Sequence, residues 1–128
     1  MQEVPRKTLR RLAALLEQPG YLEVRLQGAD SMAGLKEQLQ ELLEICRERE
    51  PKRVLADFTP LSGFSSTVDR YDMGVIGARF APYVPRAAIL VTPDFLDPNK
   101  FGVRVAQNRG LNVDVFIDRG AALAWLLE

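Results

Sequence analysis

The chain has 128 residues, of which 47% are hydrophobic and 27% charged, and this length and composition fit one compact domain. Lysine and arginine together number 17, as do aspartate and glutamate, so the sequence lacks the basic excess of a charge-driven nucleic-acid binder. One cysteine and no histidine exclude an internal disulfide, a cysteine zinc cluster and histidine catalysis.

The N-terminal segment is basic but has no continuous apolar stretch, so the sequence predicts no secretory signal and a cytoplasmic location. No apolar run reaches the roughly 18 residues that suggest a membrane span. We expect a single domain over residues 1–128, with residues 1–11 as a candidate flexible basic segment. Neither a phosphate-binding P-loop nor a dinucleotide fingerprint occurs, so no cofactor, no metal and no nucleic-acid partner are expected.

A hairpin is the first predicted element. Alternating apolar and polar side chains over Tyr21–Gln27 follow the turn signal Pro19-Gly20 and predict its second strand. The first strand would be Leu12–Glu17. The leucine spacing and the alanine and leucine content of that segment also fit a helix, so strand and helix both stay open, with the hairpin favoured.

The next predicted elements are a helix and a strand. Ser31 is a plausible N-cap for a helix from Met32 to about Arg49, in which leucines and Cys46 form the apolar stripe. The intervening polar and charged residues of this helix are expected to face water. After Pro51, the apolar run Arg53–Phe58 predicts a short strand.

The second half of the chain alternates helices and strands. Ser66-Thr67-Val68-Asp69 has the form of a capping box and opens a second helix. The apolar run Ala87–Val91 is typical of a strand buried on both faces, and Val113–Ile117 predicts another. A third helix would have Pro98 in its first turn and end near Arg109, and Asp118 would cap the last helix.

The order of these elements predicts an α/β fold: a hairpin, then alternating helices and strands, with a mostly parallel sheet covered by helices. This order resembles the STAS domain of bacterial anti-sigma factor antagonists. Three segments carry the resemblance: QPGYLEVRLQG at 18–28, RVLADFTPLSGFSSTVDRY at 53–71 and VAQNRGLNVDVFIDRGAALAWL at 105–126. They are similar to a STAS-like family of small bacterial proteins that has also been compared with CRAL-TRIO lipid-transfer domains.

The resemblance implies a first candidate site at the start of the second helix. In anti-sigma factor antagonists a serine at this point is phosphorylated to break a protein complex. The chain keeps two serines there, Ser65 and Ser66, but Phe64 and Thr67 replace the aspartate and the glycine of that motif. Together with Ser62 and Gly63, these hydroxyl groups could bind an anion or a partner, or could simply cap the helix.

Two charged residues complete the candidate set. Asp57 ends a predicted strand, where it could organise the following loop as a hydrogen-bond acceptor. Arg109 could bind an anionic ligand or partner, or could simply lie at a helix end, where Gly110 supplies the left-handed turn. An enzyme built on Asp57, Ser65 and Arg109 would need all three within hydrogen-bond reach in a cleft.

A set of aromatic residues could line an apolar pocket, as the CRAL-TRIO comparison implies, or could be core: Phe80, Phe95, Phe101, Phe116 and Trp125. Our leading hypothesis is a non-enzymatic module that binds a still unknown protein partner through residues 62–67 and is regulated there by phosphorylation or anion binding. The alternative is a carrier or sensor of a small lipid-like or anionic ligand. A homodimer fits either hypothesis.

Overall fold

The computed structural model describes residues 2–3 and 9–128. These residues form one sheet and four helices, joined by loops. In chain order the elements are β1 (Gln2–Glu3), β2 (Ala14–Gln18), β3 (Tyr21–Arg25), α1 (Met32–Arg49), β4 (Arg53–Asp57), α2 (Thr67–Ala78), β5 (Arg86–Leu90), α3 (Phe101–Asn108), β6 (Val113–Phe116) and α4 (Arg119–Leu126). None of these helices has the length and apolar character needed to cross a lipid bilayer.

The strands lie in the sheet in chain order. β1, β2 and β3 pair antiparallel, whereas β3, β4, β5 and β6 are parallel. Because each crossover moves one strand in the same direction, right-handed connections place α1, α2 and α3 on one face, which we call the three-helix face. α4 follows β6 and packs on the other face, the α4 face. The predicted α/β architecture is confirmed.

The N-terminal hairpin is also confirmed, which decides between the two interpretations of the leucine-rich segment. Leu16 pairs with Glu23 and Gln18 with Tyr21 across the turn, where Gly20 has a φ of 87°. A positive φ costs glycine little, so the Pro-Gly turn brings the two strands together. The cross-strand hydrogen bonds then outweigh the helical preference of the leucines.

The prediction for α1 needs one correction. Its limits, its N-cap and its buried leucine stripe are as predicted, and the Ser31 hydroxyl accepts the N–H of Gly34 at 3.1 Å. Gln38 and Glu41, however, are buried and do not face water. The Gln38 amide accepts the N–H of Gln27 at 2.7 Å and donates to its carbonyl at 2.9 Å. Burial is tolerated because these polar groups satisfy backbone groups that no sheet partner reaches.

Glu41 fixes the end of the N-terminal segment. Its carboxylate accepts the backbone N–H groups of Arg10, Arg11 and Leu12 at 2.6, 2.9 and 2.8 Å. Burial would raise the pKa of Glu41, but these hydrogen bonds and the charge of Arg10 together lower it. Within the predicted flexible segment 1–11, Arg10 and Arg11 are therefore held on α1, whereas residues 1 and 4–8 lie outside the described residues.

The third helix begins later than predicted. Pro98 precedes it, and α3 starts at Phe101 after Lys100, which has a φ of 50°. Asp97 accepts the N–H of Phe101 and so ends the loop by capping the helix. At the other end, Gly110 has a φ of 105°, as the predicted left-handed turn requires. The limits of β4, β5 and β6 differ from the predictions by one residue at one or both ends, whereas β2 begins two residues later and β3 ends two residues earlier than predicted.

The α4 face carries an ion pair with a buried carboxylate beside its apolar cluster. Glu23 lies on β3 with its side chain only 1% exposed, and both of its carboxylate oxygens accept hydrogen bonds from Arg119. Arg25 contacts the same carboxylate at 3.4 Å. The hydrogen bond to Glu23 raises the pKa of Arg119 above its ordinary value. This pair connects the first turn of α4 to the sheet.

Candidate functional site

A cavity of about 140 Å³ lies between α1, α2, α3 and the sheet, on the three-helix face. Its floor consists of strand side chains from β4, β5 and β6, including those of Ala56, Ala87 and Val115. Met73 and Phe80 line it from the α2 side. Almost all lining groups are apolar, so the space suits an apolar group better than water.

Glycine contacts between α2 and α3 shape the roof of the cavity. A Cβ atom on Gly74 would lie 2.4 Å from the carbonyl oxygen of Gly102, and one on Gly102 would lie 2.8 Å from that of Arg70. The two helix backbones are therefore close enough that only glycine fits at these positions. Gly77, one turn further along α2, meets Ala106 at an ordinary 3.8 Å.

Charged residues line one end of the cavity: Arg70, Asp97 and Lys100. Arg70 lies in the first turns of α2, and the other two belong to the loop between β5 and α3. Arg70 Nη1 lies 3.7 Å from Asp97 Oδ2, and each of these side chains is 17% exposed. Since both loops follow the carboxyl ends of parallel strands, this is the edge at which open α/β sheets commonly bind ligands.

Asp97 organises this end. Oδ1 accepts the N–H of Asn99 at 3.1 Å, and Oδ2 accepts that of Phe101 at 2.9 Å. The hydrogen bond from Phe101 is the main cause that lowers the pKa of Asp97, and that from Asn99 and the charge of Arg70 add to it against a smaller effect of desolvation. The carboxylate is therefore ionised and held in one orientation.

The predicted loop site borders this charged end without lining the cavity. Ser62, Gly63, Ser65 and Ser66 are exposed, as is Thr67, the first residue of α2. The Ser66 hydroxyl accepts the N–H of Asp69 at 3.0 Å, which confirms it as the helix cap. The Ser65 carbonyl accepts from Arg70 Nε at 3.2 Å, so the loop is attached to the charged end of the cavity.

The other two predicted site residues lie elsewhere. Asp57 Oδ1 accepts both the N–H and the hydroxyl of Thr59, at 2.9 and 2.6 Å, which confirms its loop-organising role. Arg109 lies at the end of α3 and donates to the Tyr71 hydroxyl at 3.0 Å. Asp57, Ser65 and Arg109 thus bond to three different neighbours, and no hydrogen bond or ion pair joins them within residues 9–128.

The predicted aromatic set is divided between the two faces. Phe80 and Phe95 line the cavity. Phe116 and Trp125 instead contact each other on the α4 face, with ring centroids 5.6 Å apart, and Phe101 is exposed. The alternative of one shared aromatic pocket is therefore wrong for three of the five, because strand register and the position of α4 assign them to the other side or to the surface. The alternative of core packing is confirmed for Phe116 and Trp125.

Sequence reasoning missed Arg70, Asp97 and Lys100. The available signal was positional: each follows a predicted parallel strand within a loop or first helical turn, where ligand-binding groups concentrate. Asp97 also begins the sequence Asp-Pro-Asn, which is typical of a side-chain-capped turn. Among the described residues, no group of three or more cysteine, aspartate or glutamate side chains could hold a metal ion.

Strand order, helix placement and hairpin together define a SpoIIAA-like, that is STAS-like, fold. A solved structure from Shewanella loihica PV-4, described as an uncharacterized protein of the DUF3478 family with a SpoIIAA-like fold, is similar to this chain with a TM-score of 0.54 and 23% identity. The match covers 92% of this chain and 95% of that one. Neither the models of protein families nor the curated proteins gave a match.

Proposed function

We propose that the protein binds a small, largely apolar ligand in the cavity of the three-helix face. The cavity itself is the observation that carries this proposal. At about 140 Å³, it is similar in size to an engineered apolar cavity of about 150 Å³ that stays dry and binds benzene. A natural domain packed to ordinary density has few voids of this size, so an apolar void near polar groups is the first candidate for a binding site.

The lining supports a ligand with one polar end. Apolar side chains surround most of the volume, while Arg70, Asp97 and Lys100 lie together at one end. Ligand sites commonly combine an apolar lining with a few polar groups that fix orientation. The ligand would therefore place a chain or ring of about six carbon atoms in the cavity and a polar group at the charged end.

Hexanol tests the proposal without depending on any charged head group. Titration of ¹⁵N-labelled protein should shift the amide resonances of cavity residues such as Ile89 and Val115, with a dissociation constant between roughly micromolar and millimolar. Ala87→Leu fills part of the cavity and should abolish these shifts. Ala124→Leu adds the same atoms on the exposed side of α4 and should preserve them.

Absence of hexanol binding to the wild type, or unchanged binding to Ala87→Leu, would contradict the proposal. Denaturing and native mass spectrometry of protein purified from its own host provides a complementary test. A noncovalent adduct that is lost on denaturation would support ligand binding and would identify the mass of the ligand.

A second candidate function is docking of a protein partner at the start of α2. The observation that favours it is an exposed apolar pair on this helix: Val68 is 68% exposed and Tyr71 is 43% exposed. They adjoin the exposed loop of residues 62–66. Because Ser66 caps the helix, Ser65 is the better candidate for phosphorylation, since modification there leaves the cap intact.

Val68→Asp tests the docking proposal. Any partner that copurifies with the wild type should be lost with Val68→Asp and with Ser65→Asp. Ile117→Asp provides the matched control, because Ile117 is also exposed but follows β6 at a different part of the surface. A partner retained by Val68→Asp would contradict the proposal. Light scattering on the same variants determines whether a second copy of the chain is the partner.

A further inference from the structure

The charged end of the cavity has more free hydrogen-bond donors than free acceptor sites. Both carboxylate oxygens of Asp97 already accept backbone N–H groups. Asp97 also faces Arg70, and its own backbone carbonyl accepts the N–H of Lys100 at 2.9 Å. Two of the roughly four lone-pair sites of this carboxylate are therefore already used by backbone groups that fix the loop.

Most of the hydrogen-bond donors of Arg70, by contrast, are free. Its Nε donates to the Ser65 carbonyl, which fixes the plane of the guanidinium group. The contact between Nη1 and Asp97 is 3.7 Å, longer than a hydrogen bond. Neither Nη atom donates a hydrogen bond to a described residue, so up to four N–H groups of a half-buried arginine are available at the cavity.

Lys100 adds to this donor excess. Its Nζ contacts Asp114 Oδ1 at 3.1 Å, which uses one of the three ammonium donors. Lys100 lines the same end of the cavity as Arg70. Each of these two cations lies beside one carboxylate, Arg70 beside Asp97 and Lys100 beside Asp114. The charges at this end are balanced, but free donors outnumber free acceptor sites, and an anionic acceptor makes the stronger, charge-assisted hydrogen bonds with them.

We infer that the ligand is an amphiphilic carboxylic acid, whose carboxylate binds Arg70 and Lys100 and whose apolar tail occupies the cavity. This inference rests on the proposed function. Arginine presents two parallel N–H groups that match a carboxylate, whereas lysine adds a point charge. The fixed guanidinium plane determines the orientation of the head group, and the cavity selects tails of limited length.

A head-group series separates this inference from the proposal on which it rests. Hexanoate, hexanol and hexylamine share one tail and differ only in the polar end. Hexanoate should bind at least about tenfold more tightly than hexanol, as expected for one charge-assisted hydrogen-bonded pair, and hexylamine should bind most weakly. The Nε–H resonance of Arg70 should shift with hexanoate and not with hexanol.

Two variants and one control test the residues. Arg70→Gln and Lys100→Gln should each remove most of the preference for hexanoate and leave hexanol affinity within about twofold. Arg104→Gln removes the same charge from an exposed position of α3 that does not line the cavity, and it should leave the preference intact. Hexanol binding to each variant shows that the cavity is still formed.

Each outcome decides between the alternatives. Equal affinity for hexanol and hexanoate, tighter binding of hexylamine, or an equal loss with Arg104→Gln would overturn the head-group assignment and leave the apolar site standing. Failure of every probe, hexanol included, would overturn the proposed function itself. If Arg70→Gln also abolishes hexanol binding, that variant no longer tests the head group. The preference of Lys100→Gln for hexanoate and the shift of the wild-type Arg70 Nε–H resonance then test the head-group assignment.

Discussion

The two faces of the sheet bury their residues in different ways. Three helices cover one face and leave a cavity of about 140 Å³ beneath them. The single eight-residue helix α4 covers part of the other face. There, Leu55, Ala88 and Leu126 are fully buried in one cluster. The α4 face also carries an ion pair between the buried Glu23 and Arg119, whose side chain is 44% exposed.

The difference shows where this fold can accommodate a ligand. A single helix can shift on the sheet until its small and large side chains interdigitate. On the three-helix face, by contrast, contacts between α2 and α3 fix where these helices lie, so they cannot shift to fill the space beneath them. The cavity is thus a consequence of helix-to-helix packing, and the charged loop residues at its end could orient a ligand.

Gly74→Ala should produce the largest loss of stability. The added Cβ would lie 2.4 Å from a backbone oxygen of α3, which no side-chain movement relieves. We expect a loss of about 3 kcal/mol, the upper end of overpacking costs, in urea unfolding monitored by circular dichroism. Gly77→Ala is the matched control. Its Cβ has ordinary space, so the better helix propensity of alanine should make it neutral or up to about 1 kcal/mol stabilising.

Arg119→Met should produce the next largest loss, on the α4 face. It leaves the Glu23 carboxylate, which is 1% exposed, with Arg25 as its remaining partner at 3.4 Å. The expected cost is about 2–3 kcal/mol in the same unfolding assay, below the full cost of an unpaired buried charge because Arg25 stays. Adding Glu23→Leu should recover much of the loss. A cost below about 0.5 kcal/mol for Arg119→Met would identify an ordinary surface ion pair instead.

Most of the fold could be predicted because its signals are local. Pro19-Gly20, Ser31 and Asp118 each determine a turn or a helix start through their own backbone geometry, and the structure has all three as predicted. The burial of Gln38 and Glu41 could not be predicted in this way. Their partners are backbone groups of segments distant in sequence, so only the folded chain brings these groups together.

The site was less predictable for a related reason. The cavity is lined by residues of six helices and strands and of the loops between them, and no segment carries its pattern alone. Whether Phe80 or Phe116 faces it depends on strand register and on which face α4 covers. Loop positions after the strands were a usable signal, but this signal does not distinguish the hydroxyl groups of Ser62–Thr67 from the charged residues Arg70 and Asp97.

A leucine scan of adjacent residues on β5 compares the faces directly. Ala87 lines the cavity, whereas Ala88 is fully buried under α4. Ala88→Leu should cost about 2 kcal/mol because there is no space for the added atoms. Ala87→Leu should be neutral or stabilising, since it buries the same atoms in an existing void. Thermal unfolding of both variants measures the difference, and similar losses for the two would show that the three-helix face is as tightly packed as the other.

The smallest expected change in stability concerns Glu41. Backbone N–H groups hold its carboxylate, whereas arginines hold that of Glu23. The pKa of Glu41 is lowered below its ordinary 4.5, so its stabilising contribution is complete above that pH and is lost as the pH falls through the folded-state pKa. Glu41→Gln should therefore cost about 1 kcal/mol near neutral pH, and this difference from the wild type should shrink on acidification. Urea unfolding across the acid range measures it.

Glu44→Gln is the control for the same helix, since Glu44 is 47% exposed and pairs with Arg10 at the surface. It should change stability by less than about 0.5 kcal/mol at any pH. If Glu41→Gln kept its full cost in acid, the three N–H groups would require two acceptor oxygens, which an amide does not offer, and not the negative charge. Glu41 and Glu23 would then differ in kind, because an uncharged carboxyl group would suffice on the three-helix face but not on the α4 face, where two arginines require a negative partner.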